Sequence, residues 1–406
     1  MTGVGGNQSA ATRVLRFRAL DSCRGLCAVA VMLFHANALN HIYWQPVVRN
    51  AYVAVDFFFV LSGFVLASAY GRRVRTGGDV GWFSLRRFGR LYPLHFVVLA
   101  IYVGLECWAL WVRHEPAFTD DKSLGSLVQH LFLIQGFTPQ QETWNYPAWS
   151  ISVELWTNIA FAILLFASGR FFRVVAVVVA VLAGSYVVFA NELHISVSDF
   201  ELNVIGDDVR SVFGFFLGLL LFDLYAFAKA RNWRPPVALE FVAIAAVAAT
   251  VTWLSALPEY LPPLVFAATV FILAFEVGPV SRALTKRFFL RLGDASYSVY
   301  LTHSLYLLAM VAGVTWLAGA LGQAPSIAMD GDDVLTLGGV WAMDAATLVC
   351  VVIAVIGSGL TYRFIEEPGR VFFNALSNGE GYTAAWAKAR TAPFQPPPHH
   401  EPKLIR

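Results

Sequence analysis

Ten stretches of mostly apolar residues, each of the roughly 17 to 25 residues that a bilayer-crossing helix requires, succeed one another along this 406-residue chain. They run from 24 to 40, 52 to 70, 92 to 112, 150 to 168, 172 to 190, 209 to 227, 237 to 256, 261 to 277, 296 to 319 and 340 to 363. Hydrophobic side chains make up 57% of the chain and charged ones only 14%, more apolar surface than one water-soluble core absorbs. The expected fold class is therefore all-α: a polytopic integral membrane protein of about ten transmembrane helices. A further apolar run, LVQHLFLIQG at 127–136, is too short to cross and reads as a re-entrant or interfacial segment.

Basic residues near helix ends collect on the cytoplasmic side. Arg13, Arg16 and Arg18 precede the first span, and Arg72, Arg73, Arg75, Arg86, Arg87 and Arg90 follow the second. Later basic loops, such as Lys229, Arg231 and Arg234, alternate with acidic ones around 199–208 and 330–333. The alternation closes with both termini cytoplasmic. The expected organisation is a cytoplasmic arm over 1–22, a membrane domain over 23–374 and a flexible, Pro-rich cytoplasmic tail over 375–406. No cleaved leader is expected, so the first helix is retained. Cys23, Cys27, Cys107 and Cys350 lie in or beside apolar runs as small packing residues. No metal site is expected, His399 and His400 in the tail reading as solvated, and no nucleic-acid partner.

An ionisable group inside a span costs on the order of 2.5–3.5 kcal/mol at the helix centre, so each one invites a functional reading. In RGLCAVAVMLFHA, Arg24 and His35 are eleven residues apart, close to three helical turns. They share a helix face with roughly 16 Å between them. Read singly, Arg24 snorkels to the headgroups and His35 is a hydrogen-bonded core histidine. Asp56 and Glu154 enter their spans from the outer side, so both are candidates to meet His35, fix its tautomer and raise its basicity. Which of them does so, or whether each only anchors a helix, stays open at this level. Arg86, Arg87 and Arg90 are positive-inside anchors or a clamp for a phosphate-bearing ligand. His303, near Tyr297 and Tyr300, lines the lower part of the same cavity or is structural. Glu366 and Glu367 among Arg363 and Arg370 read as an interfacial ion-pair cluster.

Taken together, the Arg24-to-His35 spacing, VDFFFVLSGF (55–64), the RxxR at Arg87–Arg90, WSISVELW (149–156), LGDASYSVYLTHSLYL (292–307) and YRFIEEPGR (362–370) resemble membrane acyltransferase family 3. The resemblance extends from about residue 16 to 374 with the motifs in order. It implies transfer of an acyl group, most simply acetyl from acetyl-CoA as co-substrate with no permanently bound cofactor, to a hydroxyl of an envelope or exported carbohydrate. It also implies a bacterial inner (plasma) membrane location, with the lipid bilayer, an acyl-CoA donor and a carbohydrate acceptor as partners. By the same resemblance His35 is the catalytic base, while Arg24, Arg87 and Arg90 serve the acyl-CoA. Arg86 and His303 are grouped with these donor-side residues. Leu155 stands where many relatives have a second acid.

Trp144, Tyr146 and Trp149 are the candidates to stack on an acceptor sugar. Direct transfer is the expected route; an acyl-enzyme on Ser62 or Ser152 is the alternative, and a transporter of donor or glycan without chemistry is the rival function. Acceptor identity, acyl length and oligomeric state are not encoded in any of these motifs.

Overall fold

Helices occupy all ten apolar segments in the computed structural model, which describes residues 15–394 apart from 72, 140–141, 193–199 and 330–331. In chain order they begin with α1 (Arg18–Phe34), α2 (Pro46–Arg49), α3 (Ala54–Tyr70), α4 (Gly77–Trp108) and α5 (Leu124–Leu131). α6 (Ala148–Ser168) and α7 (Phe172–Glu192) are divided at Gly169, whose φ of +50° breaks the helix. Then come α8 (Phe200–Ala230), α9 (Ala238–Thr252), α10 (Leu261–Leu273), α11 (Pro279–Leu284), α12 (Arg287–Asp294) and α13 (Ser296–Ala320). A hairpin, β1 (Ser326–Met329) and β2 (Asp332–Leu335), precedes α14 (Val340–Thr361), α15 (Glu367–Ser377) and α16 (Tyr382–Thr391).

By length and composition, six helical stretches among the described residues suffice to cross a membrane: Ala51–Tyr70, Gly77–Arg113, Ala148–Ala190, Gly206–Ala230, Ser296–Ala320 and Val340–Ser377. α9 and α10 are apolar but shorter than expected, about 22 and 20 Å long at 1.5 Å per residue. Pro258, Pro262 and Pro263 set the break between them. The apolar run at 127–136 yields only the eight-residue α5 before a 3₁₀ turn.

Three other boundaries differ from expectation. α1 starts at Arg18 and stops before His35, so Arg24 lies inside the helix and His35 is its C-cap. The charged first turns are helical because they are paired: Arg16 bonds Asp21 and Asp294. α4 starts at a Thr76–Asp79 capping box, which carries Arg86, Arg87 and Arg90 into the helix and not into a loop. The tail is not uniformly loose: Tyr382 and Trp386, one turn apart on α16, pack their rings on Phe372 of α15, with Ala385 and Ala389 buried. The last twelve residues lie outside the described chain.

Glycines bring the central helices into backbone contact. A Cβ on Gly63 of α3 would sit 1.8 Å from the Phe215 carbonyl oxygen of α8, and one on Gly218 would sit 1.9 Å from that of Val60. Gly25 of α1 and Gly293 of α12 approach in the same way. α3 is the most enclosed helix, with Phe57, Val60, Leu61 and Phe64 buried. The outer faces are apolar: Val174, Val181 and Phe189 on α7, and Val349, Val352 and Ile356 on α14, are exposed. Such faces need a lipid solvent.

Candidate functional site

The packing of α1 against α12 decides where Arg24 goes. With no side chains at Gly25 and Gly293 to hold the backbones apart, Arg24 reaches across: its Nε donates to Ser296 Oγ at 2.8 Å and its Nη2 to the Gly293 carbonyl at 3.3 Å. Asp21 lies 3.8 Å from the same guanidinium. Arg87 and Arg90, three apart on α4, share a face and enter the same space. Arg24, Arg87 and Arg90 are within electrostatic range of one another, Arg24 and Arg87 are within range of Glu154, and Arg24 and Arg90 are within range of Glu366.

These residues wall a cavity of about 1500 Å³ between α1, α3, α4, α6 and α13. Eight basic and five acidic side chains line it. Some are spoken for, since Arg370 forms two bonds to Glu367 and Arg16 joins Asp21 to Asp294. Burial pushes the Asp294 carboxyl above its ordinary range, against the pull of Arg16. A surplus of guanidinium groups in a walled space is able to accept an anion, and planar forks suit phosphate.

His35 does not open into this cavity. Its Nδ1 lies 2.9 Å from the Val31 carbonyl oxygen, which can only accept, so Nδ1 carries the proton and Nε2 presents a lone pair. Its ring lies against Tyr146 (4.6 Å between centroids) and His303 (5.1 Å). His303 repeats the arrangement: Nδ1 donates to the Tyr300 carbonyl at 2.6 Å, and Nε2 is buried without a hydrogen-bond partner. Asn145 fixes the loop that carries Tyr146, donating to the Leu301 carbonyl at 3.1 Å and accepting from Ser304 Oγ at 2.6 Å. Tyr300, whose hydroxyl meets Ser150 Oγ at 2.8 Å, belongs to the wall of the arginine cavity. His35 instead lines a second cavity of about 300 Å³. The two linings share no residue.

The remaining candidates separate into groups. Neither carboxylate pairs with His35. Asp56 is bound by Arg210 of α8 (3.1 Å), which also holds Asp207 (2.9 Å), so a strong cation claims it. Glu154 faces the arginine cavity, 3.4 Å from Ser62 Oγ. Arg86 is on another face of α4, stacked over Trp82 at 4.7 Å, and lines neither cavity. His303 stands with His35, away from the arginines. Of the aromatic trio only Tyr146 reaches His35: Trp144 is buried with its Nε1 on Ser126 Oγ (3.0 Å), and half-buried Trp149 packs on the core. Ser152 is committed to the Leu133 carbonyl and the Gly136 amide.

Glu366, read from the sequence as part of an interfacial ion-pair cluster, was not among the candidate site residues. It is buried, accepts from Ser298 Oγ at 2.8 Å and faces the arginine cavity, whereas Glu367 takes Arg370. A signal existed, because consecutive helical residues point about 100° apart, so the two carboxylates face different neighbours even though both lie near Arg370.

Apolar outer faces around an arginine-lined cavity, with buried His303 packed on half-buried His35, describe a multi-pass membrane protein. A family model described as an acyltransferase domain matches residues 17–363. The chain belongs to that family, acyltransferase family 3, and is an acyltransferase. It is 35% identical over 160 residues to "Protein 2 in picA locus" of Rhizobium radiobacter, covering 36% of this chain and 81% of that protein. It is 33% identical over 153 residues to acyltransferase MdmB of Streptomyces mycarofaciens, covering 35% of this chain and 37% of that one. No solved structure matches.

Proposed function

We propose that the protein transfers an acyl group, acetyl from acetyl-CoA, to a hydroxyl of an envelope or exported carbohydrate, with His35 as general base. The observation that carries this reading is the fixed tautomer of His35. With Nδ1–H spent on Val31, the Nε2 lone pair is free to take a proton, and it lines a cavity apart from the cationic one. The phosphates of the donor are held by Arg24, Arg87 and Arg90, and the thioester is carried toward Tyr300 and His303. The acceptor hydroxyl gives its proton to His35 Nε2 as its oxygen attacks the thioester carbonyl. The C–S bond breaks, and the proton passes from His35 to the departing thiolate. Tyr146 positions the acceptor beside His35. The frame for this is ten spans in a bacterial inner membrane with both termini cytoplasmic, which puts the arginine cavity on the side where acyl-CoA is made.

The test is His35→Gln in membranes supplied with labelled acetyl-CoA. Transfer to glycan falls by on the order of 10²–10⁴, the range for a general base, while labelled acetyl-CoA remains bound. Transfer at the wild-type rate by this variant overturns the mechanism. Glycan export that continues with unacetylated product excludes a transport role.

A further inference from the structure

The second cavity has a roof that the helical bundle does not require. Directly after His35 the chain turns extended and pairs with the hairpin: the Leu39 amide donates to the Leu335 carbonyl at 2.8 Å, and the Leu335 amide to the Asn37 carbonyl at 3.4 Å. Ala38 and Leu335 form a parallel bridge, so β2 lies between β1 and the His35 segment. The hairpin is thereby tied by backbone bonds to the residues that follow the catalytic base. It contributes Ser326 and Asp333 to the cavity wall, while Asn37 and Thr315 contribute from the chain beyond His35 and from α13, and Met310 gives an apolar side.

One polar atom in this wall is unused. Asn37 Nδ2 donates to the Asp333 carbonyl at 3.4 Å, but Asn37 Oδ1 is buried with no hydrogen-bond partner. A buried carbonyl oxygen left unpaired costs about 1–3 kcal/mol, which a ligand O–H recovers when the Asn37 side chain turns this atom into the cavity. The lining offers hydroxyls, an amide, a carboxylate and an aliphatic patch, with no basic side chain except His35. A phosphate-bearing donor finds no partner there, and a volume of about 300 Å³ is one fifth of the arginine cavity. It lies at the low end for small-molecule sites.

Resting on the transfer reaction above, we propose that this cavity is the acceptor subsite and takes a single hydroxyl-rich sugar ring. One ring hydroxyl donates to Asn37 Oδ1, others meet Ser326, Thr315 and Asp333, the carbon face lies on Met310, and the reacting hydroxyl is presented to His35. The hairpin determines which sugar position is acylated, because it sets the distance between the Ser326–Asp333 wall and the base.

The experiment uses the full-length protein in cells from which the gene has been removed and restored in variant form. Two quantities are read: base-labile acetyl groups on the total envelope and secreted glycan by mass spectrometry, and labelled acetyl-CoA retained by the purified protein. Ser326→Trp, which fills the cavity, and Asn37→Leu, which removes the acceptor atom, each lower glycan acetyl by about tenfold or more, the equivalent of one lost hydrogen bond of about 1.4 kcal/mol. Both retain acetyl-CoA as the wild type does. Arg87→Gln on the donor side loses acetyl-CoA binding.

Should Ser326→Trp not accumulate in the membrane, Thr315→Val decides on the same two readouts. Wild-type acetylation by properly accumulated Asn37→Leu and Ser326→Trp (or Thr315→Val) overturns the acceptor site while leaving the reaction standing. Loss of acetyl-CoA binding in these variants reassigns the cavity to the donor and also overturns it. A wild-type protein that binds no acetyl-CoA and adds no acetyl to glycan overturns the reaction itself, and the subsite with it.

Discussion

Asp56 shows how a costly residue is held by a partner other than His35. Its carboxylate is buried on α3, and the charge is tolerated because Arg210 crosses from α8 to meet it. Removing one partner of a buried pair strands the other, so Arg210→Ala is expected to destabilise the protein by about 3–5 kcal/mol. Asp56→Asn is expected to cost less and to keep transfer per folded molecule near the wild-type level. Thermal unfolding in detergent, paired with acetyl transfer per folded protein, checks both. The Arg24-to-His35 spacing was legible in the sequence because it lies within one helix, where 3.6 residues per turn fixes the relation. The partner of Asp56 was not, since similar depth in two spans says nothing about which way each side chain is turned. Whether Glu154 meets His35 stayed open for the same reason.

Among the elements, α3 and α8 depend on two glycines for their closeness. Gly63→Ala or Gly218→Ala drives a methyl group into a carbonyl oxygen of the facing helix, less than 2 Å away. The expected cost is about 1–3 kcal/mol or more, because backbone cannot move aside as a side-chain end can. A lowered unfolding temperature in detergent, without change at a glycine such as Gly104 that faces open space, is the measurement. Helix existence was legible throughout from apolar run length. Helix ends were not where charge was paired by distant residues, as at the start of α1, or where a capping box extended a span backwards, as in α4. The hairpin was hidden as well: each strand has only four residues, and its outside partner, Ala38, lies about three quarters of the chain length away.

At the scale of the whole molecule, the proposed orientation is open to chemical labelling. In intact cells an impermeant maleimide is expected to modify Glu115→Cys, in the exposed segment after α4, and to spare Arg231→Cys after α8 until the membrane is opened. The reverse pattern would invert the topology and place the arginine cavity outside. One further consequence follows from the rings of Tyr146, His35, His303 and Tyr300, packed in sequence between two cavities that share no lining residue. A continuous wet shaft through the bundle would conduct protons and dissipate the gradient on which the cell runs. The packed rings are a gasket between the two cavities, and the transfer proposed above requires them to part so that the thioester carbonyl and the acceptor hydroxyl can meet.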